Sequence, residues 1–306
     1  MKNKIINILL LISISFGQDL IGEGLYGEEL IQFLRGNYQT STTLGYTDAR
    51  DTLYLRIDRK DGEVRGVYTN HGVELPFGVD PSTYLYENGM NCEHVWPQSL
   101  YEGGDPMKSD MHALRPCKDN VNSARGNKPF NEINDQQTTT WYWLDSQTSS
   151  IPSSNIDEYS ENQGSYFEPR EDRKGDVART IFYFHTMYSE HSDEYFFDEQ
   201  KEILKNWHFL DPSNGDEIER TWQIAEYQQN KPNPFILDDT LIERAYFHDG
   251  FILGDLNEDG NIDVLDVVGL VNQILNGSGM NPMGDMNGDG ENDILDVVIL
   301  AGIILS

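Results

Sequence analysis

The most informative stretch of the sequence is Asn91-Cys-Glu-His-Val-Trp-Pro-Gln-Ser99. Together with two motifs that follow it closely, it decides the fold. These motifs are Ser109-Asp-Met-His-Ala-Leu-Arg-Pro116 and Asn120-Val-Asn-Ser-Ala-Arg-Gly-Asn-Lys-Pro-Phe130. Hydrolysis of a phosphodiester needs a base for the attacking water, a cation at the phosphate and stabilisation of the leaving oxygen. A histidine suits the first task, and a hard divalent ion on carboxylate and amide oxygens suits the other two. Glu93, His94 and Asn122 together supply such a set.

The three motifs resemble those of the bacterial endonuclease I family, within the ββα-metal (His-Me finger) nucleases. Further matching segments are Lys174-Gly-Asp-Val-Ala-Arg179 and Gln229-Asn-Lys-Pro-Asn-Pro-Phe235, so the resemblance spans about Glu28 to Phe247. It implies an α+β domain with many helices and loops. It also implies a metal-dependent endonuclease that hydrolyses DNA, with RNA as a further candidate. No segment resembles a recognition helix, so we expect little sequence specificity.

The resemblance implies a role for each polar residue of the first and third motifs. His94 is the general base on a β-strand, and Glu93 beside it is a metal ligand. Asn122, on the helix that follows, is the second ligand of a Mg²⁺ or Mn²⁺ ion.

Other residues of the second and third motifs are expected near the site. Arg125 is implied in contacting the phosphate, although an arginine could equally brace the helix through a carboxylate. Asp110 and His112 are expected to orient the site or its waters, and Ala113 stands where the family often has a second histidine. The alternative for the Asn-rich segment 120–127 is a simple capped helix.

Several large or charged residues near the motifs are expected to be structural. Trp96, Pro97 and Phe130 are interpreted as packing residues rather than substrate contacts. Asp176 and Arg179 are interpreted as an ion pair within one helix.

Hydrophobic periodicity predicts short strands early in the chain and helices later. Asp51 to Asp58 alternates like a half-buried strand, and Asp61-Gly62 turns the chain into a second strand from Glu63 to Tyr68. The polar stretch from Gln136 to Gly164 predicts a long loop or insertion. Helices are predicted from Asp176 to Tyr188 and from Asp216 to Gln229.

The last 50 residues contain an acidic internal repeat. A twelve-residue calcium loop supplies oxygen ligands at positions 1, 3, 5, 7, 9 and 12, with glycine at position 6. The first copy places at these positions Asp255, Asn257, Asp259, Asn261, Asp263 and Asp266. The second copy places there Asp285, Asn287, Asp289, Glu291, Asp293 and Asp296. The same spacing in both copies predicts two bound Ca²⁺ ions.

Each acidic loop runs into an apolar helix, Val264 to Leu275 and Ile294 to Leu305. Two loop-helix units with Asp at position 12 and no preceding helix resemble a type I dockerin, a small all-α module. The resemblance implies docking onto a cohesin-like domain of a scaffold or cell surface. The alternatives are a plain structural module and a solvated acidic tail, but a tail would not repeat Asp, Asn, Asp and Gly identically.

The N-terminus has the pattern of a secretory signal peptide. Two lysines precede a mostly apolar run from Ile5 to Phe16 and a small-residue exit near Gly17. The alternative is a short membrane anchor, but a hydrocarbon core needs about 20 apolar residues. We therefore predict a signal peptide (1–17), a nuclease domain (18–248) and a calcium module (249–306). The protein is expected to be secreted, attached to a surface through the module, with no membrane span after signal removal.

The formal net charge of −30 opposes a nucleic-acid partner, which normally meets Lys and Arg. One third of this charge lies between Phe251 and Ser306, which hold ten acidic residues and no Lys or Arg. Five basic residues against two acidic ones form a positive island between Lys108 and Lys128. The island contains Lys108, Arg115, Lys118, Arg125 and Lys128.

Two alternatives to a nuclease stay open at this stage. One is a catalytically inactive, calcium-dependent adhesion protein, and the other is a phosphodiesterase that does not act on nucleic acid. The pairing of Cys92 with Cys117 is also open, because an even cysteine count in an exported protein permits a disulfide and free buried thiols are the alternative.

Overall fold

The computed structural model describes residues 20–247, 253–257, 261–277 and 281–305. The predicted signal peptide and Asp259 of the first calcium loop lie outside the described residues. Within the described ranges, no helix is long and apolar enough to cross a membrane. The chain divides into two compact units, Met1–Glu243 and Arg244–Ser306.

The first unit combines helices with small antiparallel sheets, which confirms the α+β class. Its helices are α1 (Gly27–Tyr38), α2 (Tyr46–Thr52), α3 (Pro81–Glu87), α4 (Asp119–Arg125), α5 (Lys174–Tyr188), α6 (Glu194–Asp198), α7 (Lys201–Leu210), α8 (Gly215–Ala225) and α9 (Pro234–Leu237). Its strands are β1 (Arg59–Lys60), β2 (Glu63–Arg65), β3 (Gly72–Glu74), β4 (Met90–His94), β5 (Leu114–Lys118), β6 (Thr140–Trp143), β7 (Ser146–Thr148), β8 (Ser160–Asn162) and β9 (Phe167–Glu168). The strands pair in the orders β1-β2-β3, β4-β5 and β7-β6-β8-β9.

Helix α5 is the central element of this unit. Every residue of α5 except His185 is buried, including the charged Lys174, Asp176 and Arg179. It packs against α1, α7 and α9. The predicted helix from Asp176 to Tyr188 is confirmed and begins two residues earlier, at Lys174.

A buried ion pair fastens α5 to α8. Arg179 has no exposed surface, and its guanidinium donates to both carboxylate oxygens of Glu217, at 3.0 and 2.6 Å. The predicted partner Asp176 lies farther away, at 3.7 Å. The structural interpretation of Arg179 is therefore confirmed, with Glu217 as the closer partner.

The strand predicted from Asp51 to Asp58 is wrong. Helix α2 ends at Thr52 and continues as a π-helical turn over Leu53–Ile57. Leu53, Tyr54 and Ile57 are all buried in the same core cluster, which is the spacing of a helix. In a segment of eight residues this spacing is hard to distinguish from the alternation of a strand.

The predicted loop from Gln136 to Gly164 is also wrong in part, because β6, β7 and β8 lie within it. The aromatic run Trp141-Tyr142-Trp143 has high β-propensity and supplies the central strand, with Trp141 fully buried. The second strand predicted from Glu63 is shorter than expected and ends at Arg65.

Strands β4 and β5 form a hairpin, and α4 begins at the residue after β5. In the register of this hairpin, Glu93 lies opposite Arg115, Cys92 opposite Pro116 and Asn91 opposite Cys117. Since side chains alternate between the two faces of a strand, Cys92 and Cys117 point to opposite faces. Both are buried free thiols, so the disulfide is wrong and the alternative is confirmed.

The second unit contains two loop-helix repeats, with helices α10 (Val264–Asn276) and α11 (Ile294–Ile304) packed together. Both predicted helices are confirmed to within one residue. The repeats pack reciprocally. A Cβ added to Gly254 would lie 2.8 Å from Leu300 Cδ1, and one added to Gly284 would lie 2.7 Å from Leu270 Cδ1. Glycine at the start of each loop therefore permits the other helix to approach.

The Arg179–Glu217 pair generates a stability prediction. Replacing Arg179 by Met leaves the Glu217 carboxylate buried without its partner, so the free energy of unfolding should fall by about 3–5 kcal/mol. Urea unfolding followed by tryptophan fluorescence measures the change. The control Lys201→Met breaks the more exposed pair with Asp198 and should cost less than about 1 kcal/mol. Equal losses in the two variants would contradict the buried pair's importance.

The opposed faces of Cys92 and Cys117 generate a second prediction. Without reductant, Ellman's reagent should find two thiols per chain in denaturant, because no bond joins these residues. In the folded protein both thiols should react slowly, since they are buried and burial raises the pKa of Cys92 to about 12. A count of zero in denaturant would demonstrate the disulfide instead.

Candidate active site

Glu93 lies near the end of β4 with its carboxylate buried, being 2 % exposed. Its Oε1 accepts a hydrogen bond from the Tyr68 hydroxyl at 2.8 Å and lies 3.3 Å from Nη1 of Arg125. Tyr68 reaches this position because the chain crosses closely over β5 at Gly66, where an added Cβ would lie 3.1 Å from the Lys118 nitrogen. Three separate elements therefore meet at one carboxylate.

The second oxygen of Glu93 is open. Among the described residues, Oε2 accepts no hydrogen bond and forms no ion pair. Burial raises the pKa of Glu93 to about 6, against the opposing effects of Arg125 and of the Tyr68 hydroxyl. The side chain is therefore a carboxylate with a free oxygen above that pH.

Asn122 lies on α4 and is tied to β4 through its amide nitrogen. Nδ2 donates to Oδ1 of Asn91 at 2.7 Å and to the Cys92 carbonyl at 3.2 Å. In the part of the chain that the structure describes, its Oδ1 accepts no hydrogen bond. Because Asn91 and Glu93 alternate onto the same face of β4, this contact brings the amide to the Glu93 face. Glu93 and Asn122 thus offer two free hard oxygens, the donor type that Mg²⁺ and Mn²⁺ prefer.

The imidazole of His94 is fixed by a backbone carbonyl. Nε2 lies 3.0 Å from the Lys108 carbonyl oxygen, which can only accept, so Nε2 carries the proton and Nδ1 carries the lone pair. The side-chain amide nitrogen of Gln98 lies 2.9 Å from both Nδ1 and Nε2. Burial lowers the pKa of His94 to about 4, so the ring is neutral at physiological pH. A neutral imidazole with its lone pair on Nδ1 can accept a proton.

The position of Arg125 does not fit the predicted contact with phosphate. It has no exposed surface, donates to the Val95 carbonyl at 2.7 Å and lies 4.6 Å from the ring centre of Phe130. With its charge against Glu93, it braces α4 and β4 from inside. Of the two roles that the sequence left open, this geometry favours bracing.

Asp110 and His112 contact none of Glu93, His94 and Asn122. Asp110 is fully buried, and its Oδ2 accepts from two tyrosine hydroxyls of α5, at 2.8 and 2.7 Å. Nε2 of His112 donates to the Lys231 carbonyl at 2.8 Å. These contacts tie the second motif to α5 and to the segment after α8.

A cavity of about 380 Å³ lies among His112, Arg115 and residues of β1, β2 and α8, and neither Glu93, His94 nor Asn122 lines it. We place the chemistry at Glu93, His94 and Asn122 rather than in the cavity, because these residues combine an imidazole lone pair with two oxygens that accept no hydrogen bond among the described residues. The cavity's basic residues are largely matched by acidic ones in its own lining.

The predicted positive island does not form one continuous patch. Arg115 and Arg125 are buried, and Nζ of Lys128 donates to the Ala124 carbonyl at 2.7 Å. Lys108 keeps its ammonium beside an aromatic ring, 5.2 Å from the ring centre of Tyr46. The island's cations therefore have separate environments.

The packing interpretations near the site are confirmed. Trp96 has no exposed surface and stacks on Phe184 with ring centres 5.1 Å apart, Pro97 is buried, and Phe130 is 1 % exposed. Residues that the sequence did not single out also contact the site. They are Tyr46, Tyr68 and Gln98, and of these only Gln98 lies within a motif.

In the second unit, the aspartates at position 12 of the two loops hold their loops together. Oδ1 of Asp296 accepts from the Met286 and Asn287 amides at 2.9 and 3.2 Å, and Oδ1 of Asp266 accepts from the equivalent amides at 2.8 and 3.2 Å. Both aspartates are fully buried. No group of three or more His, Cys, Asp or Glu side chains is assembled as a metal site in the described ranges. Calcium binding therefore stays a prediction.

Comparison with known proteins identifies relatives of both units. The family model described as Endonuclease I matches residues 27–240, and the one described as Dockerin type I domain matches residues 253–305. A protein named extracellular ribonuclease from Bacillus subtilis (strain 168) is 32 % identical over 242 residues, covering 70 % of this chain and 73 % of that protein. Another of that name, from Bacillus amyloliquefaciens, is 33 % identical over 162 residues, covering 48 % and 50 % of the two chains. The chain is therefore a nuclease and belongs to the endonuclease I family, with a type I dockerin match at its C-terminal end.

Proposed function

We propose that this protein is a secreted, metal-dependent endonuclease that hydrolyses phosphodiester bonds with little sequence specificity. The observation that carries the proposal is the set of open groups at the hairpin. His94 Nδ1 offers a lone pair beside the exposed Gln98 amide, and Glu93 Oε2 and Asn122 Oδ1 offer oxygen ligands, while their other polar atoms are held by the protein. The β4-β5-α4 unit that holds them has the strand-strand-helix order of a His-Me finger.

His94 acts as the general base. A water takes the place of the Gln98 amide at Nδ1 and gives up its proton there as its oxygen attacks phosphorus. The bond from phosphorus to the leaving oxygen breaks, and that oxygen takes a proton from solvent. The Lys108 carbonyl keeps Nε2 protonated throughout and so orients the ring.

Glu93 and Asn122 would hold a Mg²⁺ or Mn²⁺ ion through Oε2 and Oδ1. Such an ion supplies charge stabilisation to the phosphate and to the leaving oxygen. Two protein ligands suit Mg²⁺, which keeps several waters and binds through few carboxylates. Arg125 and Tyr68 hold the carboxylate in place from the protein side.

The substrate is nucleic acid, with both DNA and RNA as candidates. RNA gains support because two relatives are named extracellular ribonucleases. The residues on which the proposal rests act on the phosphodiester group, which is common to both polymers.

The second unit is proposed to bind two Ca²⁺ ions and to dock onto a cohesin-type partner of a scaffold or surface. Each helix exposes apolar residues at equivalent positions of the repeat, a face suited to a protein partner. These residues are Val264, Leu265 and Val268 in α10 and Ile294, Leu295 and Val298 in α11.

Replacing His94 by Ala tests the nuclease proposal. Cleavage of plasmid DNA and of structured RNA with Mg²⁺ or Mn²⁺ should fall roughly 10²–10⁴-fold, because the base is gone. EDTA should abolish wild-type cleavage. The control His191→Ala removes a half-exposed histidine elsewhere and should cleave normally. Wild-type protein that leaves both polymers intact would favour the inactive adhesion protein. If it cleaves only bis(p-nitrophenyl) phosphate, a non-nuclease phosphodiesterase is favoured.

Calorimetric titration of the full chain with Ca²⁺ tests the second unit. The wild type should bind two ions, and Asp289→Ala should lose one, because position 5 contributes a side-chain oxygen. Glu291→Gln is the matched control, since position 7 contributes its backbone carbonyl and both sites should remain. No calcium-dependent heat from the wild type would refute the calcium proposal.

A further inference from the structure

The buried position of Arg125 leaves the substrate phosphate without its predicted cation. A cation that contacts phosphate must reach solvent and must not already be neutralised by a carboxylate. Most arginines and lysines of the described residues fail this test, because they form ion pairs within this strongly acidic chain. Arg50 and Lys108 are among the cations that meet it, since both are half-buried and neither forms an ion pair with a described carboxylate. These two also lie on a ring that contacts His94.

Arg50 and Lys108 share one aromatic ring beside the proposed base. The Arg50 guanidinium carbon lies 4.5 Å from the ring centre of Tyr46, and Lys108 Nζ lies 5.2 Å from it. The Tyr46 ring centre is 5.1 Å from that of His94. Both charges are thus held one ring away from the imidazole, and the backbone carbonyl of Lys108 accepts from that same imidazole.

This cluster is electrostatically incomplete in the free protein. Two like charges beside one ring repel each other, and the cation–π contact with Tyr46 compensates each charge only weakly. Nε of Arg50 is buried and has no hydrogen-bond partner among the described residues. An unpaired donor in that position loses its solvation without replacement. An anion with several oxygens would compensate both positive charges.

We propose that Arg50, Tyr46 and Lys108 form a phosphate-binding subsite, which holds a backbone phosphodiester of the nucleic acid next to His94. This inference rests on the nuclease function proposed above. Tyr46 contacts both cations and also the ring of the base, so it links phosphate binding to the position of the imidazole. The subsite recognises the backbone rather than a base, which agrees with low sequence specificity.

The test compares salt dependence in full-length variants. Lys108→Gln, Arg50→Gln and the double variant are assayed on fluorophore-quencher DNA and RNA oligonucleotides between about 50 and 200 mM KCl. Each single change should raise KM about fivefold near 0.15 M salt and leave kcat within about twofold. The slope of log kcat/KM against log salt should become shallower by about 0.7–0.9 per residue removed.

Controls separate charge from folding. Lys201→Gln removes one positive charge from α7 and should keep the wild-type slope, so it reports the effect of net charge alone. Lys108→Arg should restore most of the affinity. Thermal melting checks that Arg50→Gln still folds, and the Lys108 variants carry the test if it does not.

A binding measurement keeps this inference separate from the nuclease proposal. Fluorescence anisotropy of the same labelled oligonucleotides in EDTA follows binding without cleavage. The subsite is supported if the wild type binds the oligonucleotides and the salt slope of binding is shallower in both variants. If the wild type binds in this way but cleaves nothing, only the nuclease proposal fails. Slopes of both variants equal to those of the wild type and Lys201→Gln, in cleavage and in binding, would overturn the subsite.

Discussion

The buried charge of Glu93 is the constraint on which this site depends. Removing a carboxylate from water is unfavourable unless hydrogen bonds and an opposite charge replace the lost solvation. The Tyr68 hydroxyl and the Arg125 guanidinium do so, and each belongs to a different segment of the chain. The close crossing at Gly66 brings Tyr68 to this carboxylate, and the start of α4 directly after β5 brings Arg125 to it. Because both partners take Oε1, the other oxygen remains for a ligand.

Sequence patterns were most informative where the relevant contacts are local. His94 and Glu93 are neighbours in the chain, so their placement together on a strand followed from one motif. The role of Arg125 could not be settled in the same way, because a phosphate and a buried carboxylate are both partners that an arginine accepts. Only the packing of α4 on β4 shows that the guanidinium points inward. The same limit applies to Asp110, whose tyrosine partners lie more than 70 residues away in the chain.

One wrong prediction and one open question both depend on information that a short stretch of sequence does not carry. Between Asp51 and Asp58 the apolar residues fit a strand and a helix equally well, and the shared core decided for the helix. An even cysteine count in an exported protein permits a bond between Cys92 and Cys117, but their pairing depends on the register of the hairpin. With Cys92 opposite Pro116, the two sulfur atoms lie on opposite faces, and no spacing rule contains that information.

The two units compensate the negative charge of their carboxylates in different ways, and this difference bears on the role of each proposed metal. At the hairpin a single carboxylate is already compensated by Arg125 and Tyr68, so the first unit can fold before any ion binds. In the second acidic loop several aspartates lie close together, and the compensating groups are backbone amides rather than cations. Asp285, for example, accepts from the Gly288, Asp289 and Gly290 amides. Amides satisfy hydrogen bonds but cancel no net charge, so the loop retains its repulsion. Calcium would therefore contribute to folding in the second unit, whereas the ion at Glu93 would contribute to catalysis alone.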